Sequence, residues 1–157
     1  MMKVGASGAI LITSRQYFNF SKDIERKGET IKPFNITESY DLLLQLLGEE
    51  WQKDHAADKI PISEVTAAKA MLEKLEGLAL AIRQAANLIA DPKIGGETIS
   101  RTYELFKKRN ESLQIANMSS GSSSIRALNA LWDMTFKALS KNARSLLGVL
   151  AWFSPGT

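Results

Sequence analysis

Residues 63–89, SEVTAAKAMLEKLEGLALAIRQAANLI, decide the fold class. Val65, Ala68, Leu72 and Leu75 step by three and four, which places them on one face of a helix. Ser63 is a side chain suited to cap the start of that helix, and Gly77 is suited to stop it. Leu78, Ile82, Ala85 and Ile89 repeat the stepping in a second helix, which ends before Pro92. The second helix is rich in alanine, so a neighbouring helix can approach it closely. The spacing therefore predicts a mainly α protein.

Downstream the same pattern continues. Thr98 is placed to cap a helix carrying Ile99, Tyr103 and Phe106. Ser119-Ser120-Gly121-Ser122-Ser123-Ser124 is the one low-complexity stretch, expected to be a flexible joint. Ile125, Leu128, Trp132, Thr135 and Leu139 then mark the buried side of another helix. Ser140 is placed to cap a last one, with Ala143, Leu146, Leu147 and Leu150 expected inside. Trp152 and Phe153 are large apolar groups that call for a cover from further structure.

Upstream, Thr37 is a capping candidate, and Glu38 and Asp41 suit a first helical turn. Leu42, Leu43, Leu44, Leu46 and Leu47 supply a buried side, and Gly48 a stop. Residues 51–59 are polar and give no definite element, and Pro61 interrupts them. Thr30 to Phe34 is a brief strand candidate; Pro33 lacks a ladder donor and confines it to an edge. Ala9 to Thr13 is a continuous apolar run rich in branched residues, as in a central parallel strand. A buried helix is the rival reading, which Gly5 and Gly8 disfavour. Parallel neighbours need crossover connections, and only eight residues precede Ala9. The sheet is thus expected to be mostly missing from this chain, as in a truncated product.

The totals exclude several classes. The chain has 157 residues, 45% hydrophobic and 24% charged, an ordinary globular composition with room for a core. Its net charge is +3. The densest basic run, Lys107-Lys108-Arg109, is short and reads as a solvated helix face, so nucleic acid is not an expected partner. There is no cysteine, so there is neither a disulfide framework nor a cysteine zinc site, and a reducing cytoplasm is the expected location. His55 is the single histidine and lies in a polar stretch without a partner motif; it reads as a surface residue. No apolar run approaches the ~20 residues that a membrane span needs. The first residues imitate a signal peptide, but the apolar run closes in Thr13-Ser14-Arg15-Gln16 with no small-residue cleavage pattern.

Four stretches in order resemble one family. They are Gly8-Ala9-Ile10-Leu11-Ile12-Thr13-Ser14-Arg15; Ile31-Lys32-Pro33-Phe34 with Glu38-Ser39; Gly77-Leu78-Ala79-Leu80-Ala81-Ile82 with Gln84-Ala85-Ala86-Asn87-Leu88-Ile89; and Leu131-Trp132-Asp133-Met134-Thr135-Phe136 with the leucine-rich segment after Ser140. Together they resemble the NB-ARC ATPases, the ADP/ATP switch modules of NLR-type immune and cell-death proteins, in particular the fungal members. The resemblance implies that Arg15, after Thr13 and Ser14, is the sensor arginine reading the terminal phosphate. A planar, permanently charged guanidinium suits that task. It also implies that Gly77, Leu78, Ala79 and Leu80 form the turn that packs on the adenine and ribose side. The family has proline where this chain has Ala79, so a rigid apolar surface is lost and a backbone N–H is gained.

The family's phosphate-binding loop, Gly-x-x-x-x-Gly-Lys-Ser/Thr, does not occur, nor does an apolar strand ending in paired acids. The parts for magnesium-assisted hydrolysis are absent, and no enzyme activity is expected of this chain. The implied organisation is a remnant of the P-loop α/β domain over 1–34, with one parallel strand. A helical subdomain over 35–118, a Ser/Gly linker over 119–124 and the start of a winged helix over 125–157 come after it. ADP or ATP is the cofactor that the resemblance implies, held weakly by such a fragment. The expected partners are the missing nucleotide-binding core or full-length relatives, with oligomerisation, and neither nucleic acid nor membrane. Two other readings stand beside it: a helical interaction protein that modulates its relatives, and a truncated product without function. A winged-helix DNA reader is disfavoured by the lack of a basic recognition helix.

Overall fold

The computed structural model describes residues 30–94, 98–115 and 123–153. The chain divides into Met1–Ile31 and Lys32–Thr157, and the helices of the described residues belong to the second unit. Among the described residues there are seven α-helices and no strand: α1 (Ile36–Leu47), α2 (Glu49–Ala56), α3 (Ile62–Leu75), α4 (Ala79–Ala90), α5 (Ile99–Ile115), α6 (Ser123–Ala138) and α7 (Lys141–Trp152). The mainly α expectation holds. The strand expected over 9–13 lies outside the described residues. The strand expected over 30–34 does not form: that segment is irregular, and Phe34 N–H donates not to a strand but to Gly77 O at 3.1 Å.

Helices α3, α4, α5 and α6 form the body, α1 packs on α3 and α4, and α2 packs on α1. The core is continuous. Leu43 of α1, Met71, Leu72 and Leu75 of α3, Ile82 and Ile89 of α4, Ile99 and Phe106 of α5 and Leu131 of α6 are all essentially excluded from water. Alanines lie between them: Ala67 and Ala68 on α3, Ala81, Ala85 and Ala86 on α4, Ala127 and Ala130 on α6. Small side chains at these positions let helix axes come close, so backbone atoms add to the dispersion contacts of the large residues.

The helix ends differ from expectation in instructive ways. The cap of α1 is Asn35, not Thr37, which lies inside the first turn: Asn35 Oδ1 accepts from Glu38 N at 2.9 Å, and Glu38 Oε2 accepts from Asn35 N at 2.8 Å. This reciprocal pair satisfies two otherwise orphaned donors. Gly48 ends α1 with φ 109°, a conformation that favours glycine. The polar stretch after it is helical as α2, with Glu49 reaching Lys53 across one turn at 3.2 Å. Pro61, not Ser63, precedes α3, and Ser63 falls within its first turn. The end of α3 begins at Glu76, which is left-handed at φ 51°, and Gly77 continues the turn at φ 71°. Ser123 and Ser124, read as joint, are the first residues of α6. Ser140 does cap α7, accepting from Ala143 N at 3.2 Å.

A contact that sequence spacing does not reveal anchors α5. Glu64, in the first turn of α3, is buried, and its carboxylate accepts from Ile99 N at 2.6 Å, from Ser100 N at 3.2 Å and from the Ser100 hydroxyl. One charge thus sits at the positive ends of two helices and satisfies amide donors of the second. Glu64→Ala is expected to lower stability by about 2–3 kcal/mol, because buried donors lose a charged acceptor. Glu64→Gln retains an acceptor without the charge and is expected to cost about half as much. Urea unfolding of the two variants checks both values.

Between α5 and α6, Arg109 Nη2 donates to Asp133 Oδ1 at 2.7 Å, with Arg109 Nε 2.6 Å from Asp133 Oδ2 but off the line of a hydrogen bond. Lys137 Nζ lies 3.3 Å from the same carboxylate. Desolvation alone would raise the Asp133 carboxyl. The hydrogen bonds and charges of Arg109 and Lys137 outweigh it and hold the group below the usual carboxylate range. A carboxyl depressed in the fold stabilises above its unfolded value, near 3.8, and that contribution is lost as pH falls through the folded value. The stability difference between wild type and Asp133→Asn should therefore be constant from neutral pH down to about 5 and shrink below about 4, read by urea unfolding across that range.

Candidate functional site

The turn between α3 and α4 carries the only part of the expected nucleotide site that falls on described residues. Thr13, Ser14 and Arg15 lie outside them. Buried Gly77 leads into three consecutive exposed residues, Leu78, Ala79 and Leu80, and the shape of the turn results from a single close approach. Phe34 lies against Gly77 so tightly that a Cβ on Gly77 would fall onto the Phe34 carbonyl and 2.7 Å from its nitrogen. Gly77 is buried, and its carbonyl accepts the Phe34 N–H. Glycine is required here twice over, by the positive φ and by the missing space. Phe34 and the segment Gly77–Ile82, far apart in sequence, are thereby brought together.

The side chains just after the glycine face outward. Leu78 is 38% exposed and Leu80 53% exposed, while Ala81 and Ile82 turn into the core. Leu78, expected on the buried side of α4, is instead its N-cap residue, in extended backbone at φ −75° and ψ 107°. It offers no side-chain acceptor, so the first N–H groups of α4 have no side-chain cap. Ile82, Ala85 and Ile89 are buried as their spacing predicts.

Ala79 is the first residue of α4 and is exposed. That position tolerates proline, whose missing N–H has no partner to lose there and whose fixed φ suits a helix start. Leu78 already has the extended backbone that a residue before proline must adopt. Ala79→Pro is therefore expected to raise stability by about 0.5–1 kcal/mol through the unfolded chain, measured as an upward shift in the urea midpoint.

The turn itself holds no group suited to acid–base or nucleophilic chemistry apart from exposed Glu76. Its means are shape, apolar surface and backbone donors, which bind without reacting. His55 is exposed, its ring edge-on to Tyr40 at 5.4 Å between centroids. Tyr40 Oη is buried without a hydrogen-bond partner among the described residues, and desolvation raises the phenol above its ordinary value. Neither residue adjoins the turn in sequence or supplies a site. No helix among the described residues is long and apolar enough to cross a membrane.

Helix α7 departs most from expectation. Leu146, Leu147 and Leu150, expected inside, are 59%, 43% and 54% exposed, and Trp152 and Phe153 are exposed as well. No residue of α7 is buried, and the helix packs substantially on none of the others. On α6 the buried line is Ala127, Ala130 and Leu131, and Ile125 and Trp132 face outward instead. No family model matches the chain, and no curated protein or solved structure matches it either.

Proposed function

We propose that this chain is the helical part of an NB-ARC-type nucleotide switch, a binding and coupling module without hydrolytic chemistry of its own. The observation that carries the reading is the seat of Phe34 on Gly77. In the family, the segment resembling Ile31–Phe34 is the exit from the nucleotide domain, and the segment resembling Gly77–Ile82 touches the nucleotide. A module that couples the two needs them joined, and here one hydrogen bond and one space only glycine can fill join them. The outward Leu78, Ala79 and Leu80 supply an apolar ledge beside the first turn of α4, whose amide donors have no side-chain cap. That suits the base and ribose of ADP. On this reading α6 and α7 begin the winged helix, and Arg15 reads the terminal phosphate once a nucleotide-binding core is present.

The test is calorimetric titration of ADP into three samples: the chain, the separately produced nucleotide domain of a fungal NB-ARC protein with its phosphate loop, and their mixture. The chain alone should give no measurable heat at micromolar ADP. The mixture should bind ADP more tightly than the domain alone, and Ala79→Pro should strengthen the gain. A mixture in which the components neither associate nor alter ADP affinity overturns the reading.

The exposed apolar residues of α7 favour a second reading, a helical interaction protein that acts on its relatives. Association with the nucleotide domain, with ADP affinity unchanged and lost on replacing Leu146 and Leu150 by serine, would select it.

A further inference from the structure

We infer that the cleft between α5 and α6 receives an acidic amphipathic helix from a partner protein. The cleft is a broad depression open to solvent, of about 560 Å³, and five cations line it among the described residues: Lys93, Arg101, Lys108, Arg109 and Lys137. Among the described residues that line it, Asp133 is the single carboxylate, already engaged by Arg109 and Lys137. Lys93, Arg101 and Lys108 have no ion-pair partner among the described residues. The cations are interleaved with apolar groups: Leu105, 39% exposed, Met134 and Ile94.

The arrangement along α5 decides the shape of the occupant. Arg101, Leu105, Lys108 and Ser112 step by four, three and four, so they form one stripe over three helical turns, about 16 Å long. A single phosphate needs donors that converge on one point, and these are strung out in a line. A nucleic acid strand needs aromatic platforms or a strong basic field, but no aromatic residue lines the cleft among the described residues and the whole chain carries only +3. A helix with carboxylates flanking an apolar ridge meets both features at once, with leucine-like residues on Leu105 and Met134 and acids toward Arg101 and Lys108. The cleft begins at Lys93, beyond the C-terminal end of α4, whereas the Gly77 turn precedes its N-terminal end, about 18 Å away along that helix. This surface is therefore separate from the nucleotide-facing turn, and the inference stands whether or not that reading does.

The experiment is selection from a displayed library of peptides about 16 residues long against the whole chain, followed by fluorescence anisotropy on synthesised winners. The winners should be enriched in Asp and Glu, with apolar residues at helical spacing, and salt should weaken their binding. The double variant Arg101→Glu, Lys108→Glu changes only exposed residues and should lose at least tenfold in affinity with an unchanged melting temperature. Leu105→Ser should lose severalfold. Winners without acidic enrichment, or indifferent to the charge reversal, overturn the inference. So does tighter, reversal-sensitive binding of a single-stranded DNA of about 20 nucleotides, which would make the cleft a nucleic-acid site.

Discussion

Gly77→Ala should destabilise the chain by about 2–4 kcal/mol, more than a typical surface-turn substitution. Two independent effects add. An L-residue at φ 71° carries about 1–2 kcal/mol of backbone strain. The new methyl also meets the Phe34 carbonyl and nitrogen, which belong to backbone and have no rotamer to retreat into. The segment before α1 must lift away, and the hydrogen bond from Phe34 N–H to Gly77 O breaks. The two effects are separable. Strain alone lowers the urea midpoint and leaves the Phe34 amide protected from hydrogen exchange. Displacement removes that protection at a denaturant concentration where the rest of the fold is intact. Loss of both is the expected result, and retention of Phe34 protection would mean that the turn, not the entering segment, had moved. If the proposed function holds, the same variant should abolish any gain in ADP affinity, since it separates the two segments the switch must join.

The contrast between α4 and α6 shows what periodicity can and cannot carry. On α4 the apolar stepping of Ile82, Ala85 and Ile89 matches the buried line, because large and small apolar residues share one face. On α6 the larger residues, Ile125 and Trp132, mark the wrong face: the helix buries Ala127, Ala130 and Leu131. Close approach to an alanine-rich neighbour selects small residues at the contact, and a reading that ranks residues by hydrophobicity gives them too little weight. Thr135, from the predicted set, is half-buried at the margin, where its hydroxyl accepts from Gln84 of α4 at 2.6 Å. Helix α7 is a different case. Its periodicity and Ser140 cap place the helix correctly, but an amphipathic pattern states only that a face is apolar, not that a residue of the same chain covers it.

The candidate site was legible in the same uneven way. The glycine of Gly77–Ile82 is identifiable because it must end one helix and begin another, and the structure adds the reason no other residue serves. The capping pair of Asn35 and Glu38 is written in the sequence as an N-x-x-E spacing, but Thr37 is an equally plausible cap residue inside the same turn. Glu64 is different in kind. Its partners Ile99 and Ser100 lie 35 and 36 residues away, and a first-turn glutamate reads as nothing more than a favourable charge on its own helix. The cationic cleft is equally hidden, since Lys93, Arg101, Lys108 and Lys137 are scattered along the chain and meet only when α5 and α6 pair.

Phe106→Ala should have the largest effect of any single truncation among the described residues, about 3–5 kcal/mol, because Phe106 heads their fully buried side chains by volume. For a domain of this size that corresponds to a fall in melting temperature of about 10 °C. Ile99, Thr102 and Phe106 are the buried residues of α5, spaced by three and four, and they hold the helix against a body it shares with α3, α4 and α6. Phe106→Leu retains most of the volume and should cost about 1–1.5 kcal/mol, so the difference between the two variants isolates the cavity from the loss of the ring. The same helix is fastened a second time by Glu64 at its N-terminus. The two fastenings act on one body, so their removal should not be additive: once Phe106 is gone the first turn of α5 loosens and Glu64 has less to hold. The double variant Glu64→Gln, Phe106→Ala is expected to cost less than the sum of the singles by about 0.5–1 kcal/mol, beyond the error of urea titrations on paired samples. Strict additivity would mean that the N-terminal turn of α5 stays docked without Phe106, held by Ile99 and Thr102 alone.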